Sequence, residues 1–343
     1  MILVTGGTGL VGAHLLLHLA ESENTLRAIY RESKAIEKTR ALFHQFQKEA
    51  LFSKIEWVCA DVTDIPSLTL AFRNIDYVYH CAGLISYDPK DEKKLRKINI
   101  EGTANIVNFC LEYKVKKLCH VSSIAALGDM IPQAFDNSLQ KSAITEETEW
   151  NPELDHSDYA ISKYGAEIEV WRGQQEGLDV VIVNPGVIFG IGFFYQGSGL
   201  FFSTIKKGFP FYTQGSTAYV GVRDVVKVMI LLMKSTIVGE RFILIAENQT
   251  YQKVIFTIAE KLEVQKPKFE AKPWLLNVVW RLDWILATFF RTKRKLTKYS
   301  ANSLITSEMI SNQKIKDTLN YEFESLEEVI DEVALNFKEN YCT

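Results

Sequence analysis

Short apolar runs alternate along this chain with longer stretches in which apolar residues recur at helical spacing. Met1 to Thr5 is an apolar run ending at glycines, the pattern of a buried parallel strand. Val11 to Ala20 then carries apolar residues at helical spacing, and Leu26 to Tyr30 is the next strand-like run. Ser33 to Ala50 is amphipathic and predicts one long helix. The alternation repeats with strands at 55–60, 77–80, 117–122 and 180–184 and helices at 65–73, 99–113 and 157–176, the last stopped by Gly177. Such alternation predicts βαβ units and a doubly wound parallel sheet of the α/β class.

After Pro185 the period is lost. Residues 186–215 are rich in Gly, Phe and Tyr. A helix resumes at 222–233 and a strand at 241–246, which can join the same sheet, and from 247 onward the chain reads as mostly helical. The expected organisation is a first domain of residues 1–185 with 216–246 returning to it. A smaller, mostly helical lobe is expected from 186–215 and 247–343.

The chain has 343 residues, of which 47% are hydrophobic, enough for a large core. Charged residues make up 24% and the net charge is -3, which argues against a nucleic-acid binder and against a disordered chain. Cys59, Cys81, Cys110, Cys119 and Cys342 are odd in number and show no CxxC spacing. They are expected to be buried free thiols, and no metal site is predicted. No basic leader precedes the first strand, so a cytoplasmic location is expected.

The stretch Val4-Thr-Gly-Gly-Thr-Gly-Leu-Val-Gly12 lies between the first strand and the first helix. It fits GxGxxG through Gly7, Gly9 and Gly12, and TGxxGxxG through Thr5, Gly6, Gly9 and Gly12. Glycine lets backbone N–H groups approach a pyrophosphate, and the helix N-terminus adds partial positive charge. Behind a first strand this predicts a Rossmann-like dinucleotide site that uses Gly6, Thr8, Gly9, Leu10, Val11 and Gly12. Arg31 stands at the end of the second strand with Lys34 close by. A guanidinium there pairs with a 2′-phosphate, so NADP(H) is favoured. Glu32 keeps NAD(H) as the alternative. Asp61-Val62 ends the third strand, where a carboxylate can accept from the adenine amino group. His80-Cys81-Ala82-Gly83 ends the fourth with small residues that let the cofactor lie across the strand ends.

Tyr159 and Lys163 are four apart in a helical stretch and share a face. A phenol titrates too high to be an efficient acid/base at neutral pH, and a neighbouring ammonium favours its phenolate. Such a pair can pass a proton to a carbonyl oxygen as hydride arrives from a nicotinamide. Val121-Ser122-Ser123 ends another strand and offers a hydroxyl to the substrate oxygen.

Together these motifs resemble the extended short-chain dehydrogenase/reductases, within the NAD(P)-dependent epimerase/dehydratase superfamily. The likeness is greatest to its dihydroflavonol-reductase-like and 3β-hydroxysteroid-dehydrogenase-like group, and it covers nearly the whole chain. TGGTGLVG matches the glycine loop, Asp61-Val62 the adenine-side motif, and Asn99-Ile-Glu-Gly-Thr103 the helix-opening NxxGT pattern. Ser122 to Gly128 matches the serine motif, and its spacing to the glycine selects Ser123. Asn184-Pro185-Gly186-Val187-Ile188-Phe189-Gly190 matches the segment beside the nicotinamide. The resemblance implies a carbonyl/alcohol oxidoreductase with Tyr159 as acid/base, Lys163 tuning it and holding the nicotinamide ribose, and Ser123 orienting the oxygen. Cofactor contacts are implied for Asn99, Pro185, Gly186, Val187 and Ile188. Sugar dehydratases of this branch carry Thr-Asp-Glu where Ser123-Ile124-Ala125 stands, and sugar epimerases usually end this motif in Val-Tyr-Gly, here Ala126-Leu127-Gly128. Both departures favour simple oxidoreduction over a nucleotide-sugar epimerase or dehydratase, or a non-catalytic nucleotide sensor.

The expected partner is a small carbonyl or alcohol. Phe193, Phe194, Tyr195, Phe201, Phe202, Phe209, Phe211 and Tyr212 either line an apolar pocket or pack the second lobe. The helices at 99–113 and 157–176 correspond to those that form dimer bundles in many relatives, so the resemblance is compatible with a homodimer. Trp274 to Phe290 is strongly apolar, is interrupted by Arg281 and Asp283, and is followed by Arg291-Thr-Lys-Arg-Lys295. It is too broken to span a bilayer. A helix that covers the cleft from the second lobe is expected, in preference to one lying in a membrane surface.

Overall fold

In a computed structural model, residues 1–23, 25–128, 143–290 and 292–341 are described; Arg291 and Cys342 fall outside them. In chain order the first half contains β1 (Ile2–Thr5), α1 (Leu10–Ser22), β2 (Leu26–Tyr30), α2 (Ser33–Gln45), α3 (Glu49–Phe52), β3 (Ile55–Cys59), α4 (Ile65–Ala71), β4 (Tyr77–His80), α5 (Glu92–Leu95), α6 (Gly102–Glu112), β5 (Lys117–Val121), α7 (Asp158–Gln175) and β6 (Val180–Pro185). The second half adds β7 (Val187–Phe189), α8 (Leu200–Lys206), β8 (Phe211–Tyr212), β9 (Ser216–Gly221), α9 (Val222–Lys234), β10 (Glu240–Leu244), β11 (Glu247–Thr250), α10 (Tyr251–Lys261), β12 (Phe269–Glu270), α11 (Pro273–Phe289), α12 (Lys298–Ser303), α13 (Gln313–Leu319) and α14 (Leu326–Tyr341).

Seven strands form one parallel sheet in the order β10-β6-β5-β4-β1-β2-β3. The order reverses between β1 and β4, which opens a crevice at their carboxyl ends. One face packs Leu15, Leu16 and Leu19 of α1 and Val225, Val228 and Met229 of α9 against Val4, Val181 and Phe242. The other packs Ile106 and Val107 of α6 and Val170 of α7 against Leu3, Val78 and Ile182. Both faces are covered, which is why these strands read as short, mostly apolar runs. The strand expected at 241–246 does join this sheet, beside β6. A three-stranded sheet, β11-β9-β7, stands above it.

Three regions differ from the sequence expectation. The helix expected over 33–50 breaks, because Gln47 takes a left-handed backbone (φ 56°) and the chain turns. That turn brings Phe43 and Phe52 edge to face at 5.3 Å in the core. The helix expected to begin at Asn99 begins at Glu92 and passes through a π-helical turn at Arg96–Glu101. In the aromatic segment, where a pocket and packing were both open, Phe193, Phe194 and Phe202 are buried among Val254, Ile258 and Phe337 of α10 and α14. Tyr195 and Phe209 face solvent instead. The thiols are also not uniformly buried: Cys110 and Cys119 are, while Cys59 is exposed.

Helix α11 forms where its apolar run predicts. Only Leu276 and Ala287 of its side chains are buried, against Ala271 and Ala301. Its inner contacts fall in one small cluster, with Phe211, Leu296 and Leu304 packed against it.

Candidate active site

Most of the cofactor and catalytic residues singled out in the sequence stand at the carboxyl ends of strands of the large sheet or on a helix beside it. Gly6 follows β1 in a left-handed conformation (φ +69°), and a Cβ there would lie 2.6 Å from the backbone nitrogen of Ala82. A Cβ on Gly12 would lie 2.2 Å from the Gly6 carbonyl oxygen. These two glycines are demanded by the protein's own packing. Gly9 is different: its conformation is extended, and a Cβ would meet only the Gly6 oxygen, at 3.5 Å. Nothing among the described residues requires glycine at this N-cap of α1, so a backbone surface is left bare at a helix N-terminus. That is the fit expected for a pyrophosphate. Thr8, Leu10 and Val11 complete the turn, and the Thr39 hydroxyl braces it by donating to the Gly7 carbonyl at 2.8 Å.

The outer side of the crevice is charged. Arg31 follows β2 and is 65% exposed, with its guanidinium 4.0 Å from one oxygen of Asp61 after β3. The other Asp61 oxygen accepts from the Thr63 backbone N–H (2.8 Å) and hydroxyl (2.9 Å). Lys34 is exposed in the first turn of α2, whose N-cap makes no side-chain hydrogen bond. Val62 is not with this group; it is buried in the core beneath α6.

Beyond β4 the crevice rests on a chain of hydrogen bonds. Thr103 Oγ1 donates to the Asn99 carbonyl at 2.5 Å, and the only proton His80 can offer it therefore comes from Nε2, at 3.0 Å. His80 Nδ1 then accepts from Thr5 Oγ1 at 2.7 Å, which in turn accepts from the Ala82 N–H at 3.1 Å. Burial holds the imidazole neutral, its pKa lowered to about 3, with the Lys163 charge adding to the effect. One tautomer thus ties β1 to the loop of Cys81, Ala82 and Gly83 and to the π turn. Asn99, within that turn, accepts from the Leu84 N–H at 2.8 Å and donates to the Ser162 hydroxyl at 2.8 Å.

Ser123 caps a short turn after β5, its hydroxyl accepting from the Ala125 N–H at 3.1 Å. Tyr159 and Lys163 lie on the buried face of α7. Burial pushes the Tyr159 phenol well above its usual range, the Tyr87 phenol adds to this, and a hydrogen bond with the Ser123 side chain opposes it. Burial outweighs the acidifying influence expected from Lys163, so the phenol is held protonated. Lys163 donates to the Val121 carbonyl at 2.9 Å. Burial lowers its pKa to about 8, against the opposing pull of Glu167 and Cys81. The Tyr87 ring stands edge to face with Tyr159, centroids 5.8 Å apart. Pro185 ends β6, and Gly186, Val187 and Ile188 carry the chain from the large sheet into the small one.

The sequence reading overlooked Glu167, one further turn along the Tyr159–Lys163 face. It is 1% exposed, accepts from Asn184 Nδ2 at 2.5 Å and pairs with Arg241 at 3.3 Å. Asn184 Nδ2 also donates to the Ser123 carbonyl at 3.0 Å. Spacing of four from Lys163 was the available signal. Its partners on β6 and β10 are visible only in the fold.

A model of the NAD dependent epimerase/dehydratase family matches residues 2–246. A putative dihydroflavonol 4-reductase of Synechocystis is 29% identical over 298 residues, 84% of this chain and 80% of that protein. Sterol demethylase protein B of Methylococcus capsulatus is 27% identical over 308 residues, 89% of this chain and 88% of that protein. The crystal structure of the UDP-glucose 4-epimerase of Thermotoga maritima superposes with a TM-score of 0.76 at 19% identity, over 98% of both chains.

Proposed function

Because the chain belongs to the NAD dependent epimerase/dehydratase family, whose members act on small molecules with a nicotinamide cofactor, we propose that it is an NADP(H)-dependent reductase of an apolar carbonyl compound. The observation that carries this reading is the meeting of Ser123, Tyr159 and Lys163 beside a glycine cradle at the sheet's switch point. The bound cofactor supplies hydride to the carbonyl carbon. Tyr159, held neutral, gives its proton to the oxygen as charge develops there. Ser123, hydrogen-bonded with the Tyr159 phenol, donates a hydrogen bond to that oxygen. The Lys163 ammonium steadies the phenolate left behind and reaches the nicotinamide ribose. Gly9 and the α1 N-terminus take the pyrophosphate, and Asp61 takes the adenine side.

Arg31, Lys34 and the uncapped α2 N-terminus support a 2′-phosphate and hence NADP(H) over NAD(H). The turn after Ser123 holds Ile124, Ala125 and Ala126 and no carboxylate, which favours reduction over water elimination. Dihydroflavonols and sterols, named in two relatives, are both polycyclic, which fits a ring-containing ketone. Residues 186–215 and 247–343 are proposed as the lobe that recognises it. Purified protein presented with a panel of ring-containing ketones should oxidise NADPH. Arg31→Ala should weaken NADPH by roughly ten- to a hundredfold, the scale of a charge-assisted hydrogen bond, and leave NADH nearly unchanged. Equal losses for both cofactors would remove the case for NADP(H).

A further inference from the structure

Helix α11 carries two apolar stripes. The inner stripe, Leu276, Trp280, Asp283 and Ala287, follows 4-3-4 spacing and faces the protein. The outer stripe, Val278, Leu282, Ile285 and Phe289, follows the same spacing and faces out. Trp284, Phe289 and Phe290 are 54%, 80% and 72% exposed. A helix with water on its outer face normally carries charge there, and a contiguous apolar patch of this kind marks an interaction surface.

The electrostatics around the helix select the partner. Residues 266–298 contain nine Lys or Arg and two Asp or Glu, a net charge of +7 within a chain whose total is -3. The helix's one acid, Asp283, is turned inward. It pairs with Arg294 at 3.1 Å and accepts from the backbone N–H groups of Lys295 and Leu296. Lys272 at one end and Lys293 and Lys295 at the other remain exposed. Tryptophan and phenylalanine on an exposed face, cations at both ends and an inward, neutralised carboxylate match the interfacial zone of a bilayer with anionic headgroups. No helix among the described residues is long and apolar enough to cross a membrane.

We propose that α11 docks this protein onto an anionic membrane surface, lying in the headgroup region without spanning it. The strand of chain after α11 touches the loop that borders the catalytic crevice. Lys90 Nζ donates to the Thr292 carbonyl at 2.9 Å, and the Arg294 N–H donates to Asp88 at 3.2 Å. Tyr87 of the same loop stands against Tyr159. Docking by α11 therefore brings the loop beside Tyr159 near the bilayer, and on the reductase reading above it gives access to a substrate dissolved in lipid.

The test is sedimentation of the full chain with vesicles, which reads docking without any assay of turnover. Vesicles of phosphatidylcholine with about a third phosphatidylglycerol should pellet the protein at low salt. Phosphatidylcholine alone should pellet much less, as should the anionic vesicles in 1 M salt, where screening acts within about 3 Å. Each Lys near an anionic surface contributes about fivefold in partitioning (about 1 kcal/mol), so Lys293→Gln with Lys295→Gln should weaken binding roughly twentyfold. Trp284→Ser, Phe289→Ser and Phe290→Ser together should abolish it with an unchanged circular dichroism spectrum. The lysine pair tests the same surface should the triple variant fold poorly. No pelleting with anionic vesicles, or pelleting that neither variant alters, would overturn the proposal. So would wild-type self-association in solution that the serine variant breaks, which would make the patch a contact between two copies.

Discussion

Helices α7 and α11 invert the ordinary relation between polarity and burial. α7 buries Tyr159, Ser162, Lys163 and Glu167, while α11 exposes Trp284, Leu286 and Phe289. In α7 the buried polar groups each have a partner: Val121 for Lys163, Tyr159 for Ser162, and Asn184 with Arg241 for Glu167. A buried charge without such partners would cost several kcal/mol. In α11 nothing among the described residues answers the exposed apolar face. Both helices break the rule that apolar residues go inside, and both breaks coincide with a surface proposed above for something else: cofactor and substrate in one case, a membrane in the other.

The comparison can be broken most forcefully at Glu167. Glu167→Ala leaves the half-buried Arg241 and the buried Asn184 without their shared acceptor and should cost about 3 kcal/mol in chemical denaturation. A loss below about 1 kcal/mol would mean that the polar stripe of α7 is not an interlocked cluster. Tyr159→Phe comes next: turnover on an established ketone should fall about a hundredfold or more while NADPH titrates normally. Near-normal turnover would leave α7 as a structural helix only.

The pH dependence sharpens the role of Lys163. Its pKa is lowered to about 8 by burial, so the ammonium that steadies the phenolate is lost as pH rises through about 8. The rate kcat/KM should then fall about tenfold per pH unit above that value. Lys163→Arg, which stays charged, should move this limb to higher pH. A limb that stays in place would assign it to another group. The smallest effect belongs to α11. Phe289→Ser should change folding stability by no more than about 0.5 kcal/mol, as expected for a side chain that packs on nothing. A larger loss would show that the outer face is covered within the protein.

The sequence already carried much of this contrast. β2 and β4 were readable to the residue because a parallel strand covered on both faces is a short, mostly apolar run, even with Arg27 inside β2 and His80 at the end of β4. The glycine loop was readable because strand, turn and helix are contiguous. The Glu167–Asn184–Arg241 cluster was not, since α7, β6 and β10 meet only after the sheet is assembled. The exposure of α11 was hidden for a related reason. Periodicity reveals which faces of a helix are apolar, but the neighbours decide which of them is covered. The phenylalanines near 190–212 show the same limit: spacing could not separate the core-forming Phe193, Phe194 and Phe202 from the solvent-facing Phe209.

The central claim is that Tyr159 and its neighbours serve a net hydride transfer to a carbonyl carbon. It is tested most directly by incubating the protein with a candidate ketone and NADPH deuterated at the transferring C4 position, then locating the label by mass spectrometry. The account predicts one deuterium on the alcohol carbon of the product and one equivalent of NADP+ formed. A product rearranged without net cofactor oxidation, or one whose new hydrogen comes from solvent, would contradict it and return the protein to the epimerase or dehydratase side of its family.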